Sequence, residues 1–126
     1  MCENRFYICA HCGNIIGLIK DSGVPLVCCG EKMKELVANS VEASVEKHVP
    51  KVTLNDSKVL VEIGEVPHPM EEKHHIEWVY LQTDKGGQRK CLCVGGKPEL
   101  SFALCDEKPI AVFAYCNIHG LWVKEL

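Results

Sequence analysis

No apolar run in the 126 residues approaches the ~20 needed to cross a bilayer as a helix. The first residues, Met-Cys-Glu-Asn-Arg-Phe, lack the basic start and apolar stretch of a secretory signal. An excess of positive charge is missing too: 14 Lys and Arg face 17 Asp and Glu, for a formal net charge of −3. A nucleic-acid binder would show a basic footprint instead. Internal repeats and low-complexity tracts are absent. Nor do the cysteines pair off: there are 9, so a fully bridged disulfide scaffold is excluded unless chains crosslink. The expectation is a cytoplasmic protein that binds neither nucleic acid nor membrane. In that reducing compartment, dense cysteine means metal ligands or redox chemistry more often than bridges.

What is present divides into two unlike pieces. Residues 1–36 hold five cysteines and four glycines. A piece below ~40 residues buries too little to fold without a metal, disulfides or a partner. Residues 37–126 carry segments of strand character at Val49–Leu54, Lys58–Ile63, Ile76–Thr83, Arg89–Val94, Leu100–Leu104, Ile110–Cys116 and Leu121–Lys124. Turn chemistry separates them, as at Asn55-Asp56-Ser57, Asp84-Lys85-Gly86-Gly87 and Gly95-Gly96-Lys97-Pro98. Val and Ile supply 22 of the 36 Leu, Ile, Val and Phe residues, which also favours β structure. Seven short strands predict an all-β chain whose larger piece is a seven-stranded, immunoglobulin-like antiparallel sandwich. From Met33 to Val45, apolar residues at Met33, Leu36, Val37, Val41 and Val45 also fit a helical period.

Two constellations carry chemistry. Cys9-Ala-His-Cys12-Gly has the spacing of a metal knuckle, in which two sulfurs face one point and the glycine permits the tight turn. Cys28-Cys29-Gly30 follows. Adjacent side chains in an extended chain point apart, so this second half is expected to be distorted. Four thiolates make a closed tetrahedral site, and the ligands alone leave zinc and iron open. A thioredoxin-like reading lacks the surrounding βαβ pattern. In the larger piece stand His48, His68 between two prolines, His74, and the Cys116-Asn-Ile-His119 turn. Imidazoles suit zinc, copper, iron and nickel, and a thiolate adds a strong electron donor. Cys91 and Cys93, spaced for one strand face, are expected to be small core residues.

These residues closely resemble desulfoferrodoxin, the two-iron form of superoxide reductase. The resemblance is carried by Cys9-x-x-Cys12 with Cys28-Cys29, Glu46-Lys47-His48-Val49-Pro50, Val66-Pro67-His68-Pro69-Met70-Glu71-Glu72-Lys73-His74 and Tyr115-Cys116-Asn117-Ile118-His119-Gly120. It runs in register from about residue 6 to Trp122. The one-iron form, neelaredoxin, lacks the four-cysteine module and fits less well.

The resemblance implies two irons per chain. One would be held by Cys9, Cys12, Cys28 and Cys29 in a desulforedoxin-like module. The other would be held in the sandwich by His48, His68, His74 and His119 around it and by Cys116 behind it, with one position open. The implied reaction is one-electron reduction of superoxide, with two protons, to hydrogen peroxide. Lys47 resembles the family's catalytic lysine, which attracts the anion and organises a proton-donating water. Glu46 resembles the glutamate that fills the open position in the resting oxidised state. His75 stands outside the ligand set, and the linker 33–45 is expected to be extended. Also implied are a homodimer and a small electron donor such as rubredoxin.

Two other readings compete with this one: a two-centre electron-transfer protein without substrate chemistry, and a zinc-stabilised interaction module. Metal content combined with the spectrum of oxidised protein separates the last, because zinc is d¹⁰ and its thiolate sites are colourless. The expected result is two irons per chain and visible sulfur-to-iron absorption; a colourless zinc protein would overturn the iron reading.

Overall fold

The computed structural model describes residues 4–41 and 43–126; Cys2 lies outside them. The chain forms two compact units, Cys2–Val37 and Ala38–Leu126. In the smaller, strands β1 (Arg5–Ile8) and β2 (Ile15–Leu18) make one antiparallel hairpin, and β3 (Val27–Cys28) and β4 (Glu31–Lys32) a second. Strand β5 (Lys34–Glu35) returns to pair with β1. Among its described residues only Phe6 and Cys9 are buried. So small a core cannot offset the entropy of ordering the chain, and the cysteine-bearing turns must hold the unit together.

The larger unit opens with a single helical turn, α1 (Val45–His48), followed by β6 (Pro50–Asn55), β7 (Lys58–Ile63), β8 (Ile76–Thr83), β9 (Gly86–Cys91), β10 (Glu99–Ala103), β11 (Pro109–Cys116) and β12 (Gly120–Glu125). These seven strands form the expected immunoglobulin-like sandwich. One sheet has the order β10-β7-β6 and the other β12-β11-β8-β9, with every pairing antiparallel. Alternation drives the packing: along β7, Val59, Val61 and Ile63 are buried while Lys58, Leu60 and Glu62 face out. They meet Phe102 of β10, Val79 and Leu81 of β8, and Val112, Ala114 and Cys116 of β11 in one core. No helix among the described residues is long and apolar enough to cross a membrane.

Boundaries shift where turn chemistry wins. The β8–β9 turn is Asp84-Lys85 alone, so Gly86 and Gly87 belong to β9, paired with Thr83 and Gln82. That strand stops at Cys91, because Cys93–Gly96 closes a new turn through Gly96 N–H to Cys93 O at 3.1 Å. The helical period of Met33–Val45 goes unused: β5 pairs with β1, Leu36 N–H donates to Phe6 O at 2.8 Å, and helix is confined to Val45–His48. That turn ends where Pro50 forces Val49 into extended backbone (φ −71°, ψ 126°).

The expectation that Cys91 and Cys93 are core residues is overturned, since both are solvent-exposed. Cys91 lies opposite Trp78, on the outer face of an edge strand, whereas the inner-face positions of β9 belong to Gln88 and Lys90, opposite Leu81 and Val79. Lys90 reaches over the core to the Phe102 ring, 5.3 Å from its centroid. Cys105 is exposed as well.

Gly64 fixes the turn of α1 against the β7–β8 connection. Its φ is +82°, and a Cβ there would sit 2.6 Å from both the Lys47 and Val66 carbonyl oxygens. The same contact zone is tied by Gly64 N–H to Val49 O (3.2 Å) and Val66 N–H to Glu46 O (3.1 Å). Gly64→Ala is therefore expected to cost about 2 kcal/mol or more in denaturant unfolding. An unchanged midpoint would show that the turn adjusts freely.

Candidate metal centres

The turns of the smaller unit bring Cys9, Cys12, Cys28 and Cys29 together, their sulfurs all within 4.8 Å of one another. In the first knuckle Cys9 N–H donates to Asn14 O (2.9 Å) and Gly13 N–H to Cys9 O (3.0 Å), with Gly13 at φ +81°. Cys12 N–H points at Cys9 Sγ, 3.5 Å away. The adjacent pair achieves the same convergence only through distortion, as Cys29 adopts φ +53°. A left-handed conformation costs a residue with a side chain about 1–3 kcal/mol.

Cys12 Sγ and Cys28 Sγ are 3.6 Å apart. Two sulfurs held tetrahedrally at about 2.3 Å from one ion would be roughly 3.8 Å apart, so the donors fit a closed thiolate site. Without an ion the thiols disagree electrostatically. The backbone N–H groups of Cys12 and His11 hold Cys9 down to about 6. Cys29 is pushed up to about 12, first by Cys12 and then by the other neighbouring sulfurs, and Cys28 is raised by Cys12 and Cys9. A bound cation removes that conflict by deprotonating the set outright.

The sandwich carries the second cluster. His48 comes from α1, His68 and His74 from the β7–β8 connection, Cys116 from the end of β11, and His119 from the β11–β12 turn. Donor atoms of His48, His68, His74 and Cys116 lie within 4.8 Å of one another. His119 joins them, its Nδ1 3.0 Å from His48 Nε2 and 3.9 Å from Cys116 Sγ.

The four rings stand at the corners of a square. Successive centroids are separated by 4.6 Å (His48–His68), 4.7 Å (His68–His74), 5.1 Å (His74–His119) and 4.8 Å (His119–His48), and the His48–His74 diagonal is 6.3 Å. Two nitrogens at right angles on one ion, each about 2.1 Å from it, would be roughly 3.0 Å apart, the His48–His119 distance. Five donors arranged in this way suit an ion of more than tetrahedral coordination. Cys116 is fully buried, and its sulfur accepts the His119 backbone N–H at 3.4 Å.

The outer hydrogen bonds choose which nitrogen faces inward. His48 Nδ1–H donates to Ser44 O at 2.6 Å and His68 Nδ1–H to Pro69 O at 2.7 Å, leaving each Nε2 lone pair free. His68 Nε2 and His74 Nε2 are buried without a protein partner. Orphaned polar atoms of this kind cost about 1–3 kcal/mol each, which a cation among them would cancel. Burial holds His48, His68 and His74 below the usual imidazole range, His68 to about 4, and the nearby His119 adds to the shift of each. Neutral imidazole is the form that binds metal.

Other nominated residues fall outside both clusters. Glu46 is exposed, with Ser44 Oγ 3.4 Å from its Oε1. Lys47 is exposed beside His48, and its charge acts to lower the protonation of both His48 and His74. His75 turns away, giving Nδ1–H to Glu71 O at 2.9 Å. His11 pairs with Glu31 at 2.6 Å on the surface. Two residues that sequence reasoning missed brace the cluster. Trp122 stacks on His48 (4.8 Å, 25°) and donates Nε1–H to His119 O at 3.2 Å. Asn117 hydrogen-bonds on both sides of His74. The only signal available for Asn117 was its place inside Cys-x-x-His; for Trp122 there was none beyond proximity to that turn.

Comparison with known proteins places these clusters in context. The family model described as Desulfoferrodoxin matches residues 40–125, and the one described as Desulfoferrodoxin, N-terminal domain, matches residues 2–36. The desulfoferrodoxin of Syntrophotalea carbinolica is 44% identical over 119 residues, covering 94% of each chain. That of Nitratidesulfovibrio vulgaris is 43% identical over 123 residues, covering 98% of this chain and 97% of its own. The crystal structure of the superoxide reductase from Treponema pallidum matches with a TM-score of 0.82 at 35% identity, covering 98% of this chain and 99% of that one.

The depressed histidines set a pH dependence. In the unfolded chain these imidazoles protonate near pH 6.5. Between that value and about 4, where His68 protonates in the fold, the unfolded chain binds more protons. Stability of the metal-free protein therefore falls as pH drops through this window. The denaturant midpoint of metal-free protein is expected to be lower at about pH 5 than at about pH 7.5, with a shallower dependence in His68→Gln. Equal midpoints would contradict the burial argument.

Proposed function

The chain belongs to the desulfoferrodoxin family, and from that premise we infer that it is a superoxide reductase with two metal centres. The observation that carries this reading is the square of imidazoles with a buried thiolate beside it: five donors of a redox-metal site, enough to bind an ion without closing every position around it. Ferrous iron bound there supplies the single electron that, with two protons, converts superoxide to hydrogen peroxide.

The ligands we propose are His48, His68, His74, His119 and Cys116. Supporting this set are the inward lone pairs fixed by Ser44 and Pro69, and the partnerless nitrogens of His68 and His74. The His119 N–H at 3.4 Å holds the Cys116 sulfur in register and offsets part of its negative charge. Lys47 is proposed to draw the superoxide anion in and to order the water that delivers a proton. Its place on the exposed turn immediately before His48 supports this, since a cation there adds to the field met by an anion approaching the square. Glu46, on the same turn, is proposed as the carboxylate that closes the site in the resting oxidised state. Its long 3.4 Å contact with Ser44 is readily surrendered.

The module of residues 1–36, with Cys9, Cys12, Cys28 and Cys29 around a second iron, is proposed to relay electrons. The domain of residues 37–126 performs the reaction. A cytoplasmic homodimer supplied by a small redox protein such as rubredoxin, binding neither nucleic acid nor membrane, completes the proposal.

Rapid mixing of reduced protein with superoxide tests it. Stoichiometric oxidation with release of peroxide and no oxygen is expected, whereas a pure electron carrier would bind no superoxide. Lys47→Ala should keep its iron yet react more slowly, with a flatter dependence on salt. An unchanged rate and salt slope would remove Lys47 from the mechanism.

A further inference from the structure

The four imidazoles are not held alike. His48 and His68 each lean on a carbonyl through Nδ1, at 2.6 and 2.7 Å. Among the described residues neither ring nitrogen of His74 has such a partner. Its position is set by backbone instead. Glu71 and His74 exchange N–H···O bonds of 2.9 and 3.1 Å in an isolated bridge that no strand extends. Both peptide groups flanking His74 are gripped by one side chain: Asn117 Nδ2–H donates to Lys73 O at 3.0 Å, and Asn117 Oδ1 accepts His75 N–H at 2.9 Å. The Asn117 backbone N–H adds a third bond, to His75 O at 3.1 Å.

Asn117 itself lies between Cys116 and His119. We propose that Asn117 is a positioning residue that fixes His74 relative to the turn bearing Cys116 and His119, so that one corner of the imidazole square is set from the thiolate's own turn. An amide is the side chain that offers one donor and one acceptor here: a carboxylate keeps the acceptor and loses the donor, and alanine loses both. Without the side-chain grip, His74 is left with the Glu71 bridge and the neighbouring His75 bonds to Glu71 O and from the Asn117 backbone, so that imidazole loosens first and the sandwich core stays untouched.

The proposal rests on the cluster being the iron site, and the two can fail separately. Wild type, Asn117→Ala and Asn117→Asp are loaded with ferrous iron and oxidised. Absorption, the rate of iron release to excess chelator and the unfolding midpoint are then recorded. Loss of an outer partner lowers metal affinity about 10–100-fold, so Asn117→Ala should release sandwich iron roughly tenfold faster or more and show a shifted sulfur-to-iron band. Asn117→Asp should fall between, and the four-cysteine absorption should not change in either. If wild type lacks a sulfur-to-iron band beyond that of the four-cysteine site, the iron reading fails. If wild type has the band and both variants match it in position and release rate, the role of Asn117 is overturned while the iron reading stands. Should Asn117→Ala not fold, wild-type behaviour of Asn117→Asp alone overturns it.

Discussion

Four imidazoles within about 5 Å of their neighbours cannot all be charged without strong repulsion, nor can all of them stay hydrated. Bringing them together is the constraint on which the sandwich's site depends, and the chain meets it with three devices. Burial suppresses protonation of His48, His68 and His74, so these three rings arrive neutral. Two backbone carbonyls, of Ser44 and Pro69, accept hydrogen bonds from Nδ1–H of His48 and His68 and turn the remaining lone pair inward. The scaffold around them is stiff where it matters: prolines bracket His68, Gly64 lets the His48 turn sit against the β7–β8 connection, and Trp122 lies flat on His48. What remains is a cluster of inward nitrogens, those of His68 and His74 without a partner, that a cation can satisfy. Stability of the apo fold is traded for affinity, and the traded part is returned on binding.

The two clusters solve different problems with different donors. Four sulfurs at tetrahedral spacing enclose an ion and leave nothing for a substrate, which suits a relay. Four nitrogens at right-angled spacing with one sulfur leave room for a small anion. Their scaffolds differ in kind as well. The first cluster sits on turns with almost no core beneath them, whereas the second is anchored through Cys116, which ends strand β11 and is itself part of the core.

Much of this was legible in the chain. Alternation and turn residues predict the seven strands, because each strand has one dry face and one wet face. The ligand-type residues stood out by spacing: two residues between cysteines, two between Cys116 and His119, prolines on either side of His68. Less legible were features that depend on partners distant in sequence. The start of β9 at Gly86 depends on a two-residue turn that cannot be told from a four-residue one without the register to β8. Cys91 and Cys93 have strand spacing, but which face they occupy is set by pairing across the sheet, and the pairing turns Cys91 outward. Asn117 and Trp122 act on loops more than forty and seventy residues away, so neither could be read from its local sequence.

The crowded thiols of the smaller unit tie metal retention to acidity. Backbone N–H groups favour ionised Cys9, the sulfurs around Cys28 and Cys29 favour their protonated forms, and Cys29 keeps a left-handed backbone. Closing four thiolates around one ion expels protons from the cluster, so acid competes with the metal for the same sulfurs. With so little apolar material beneath these turns, whatever reclaims those protons also loosens the clasp on which the unit relies.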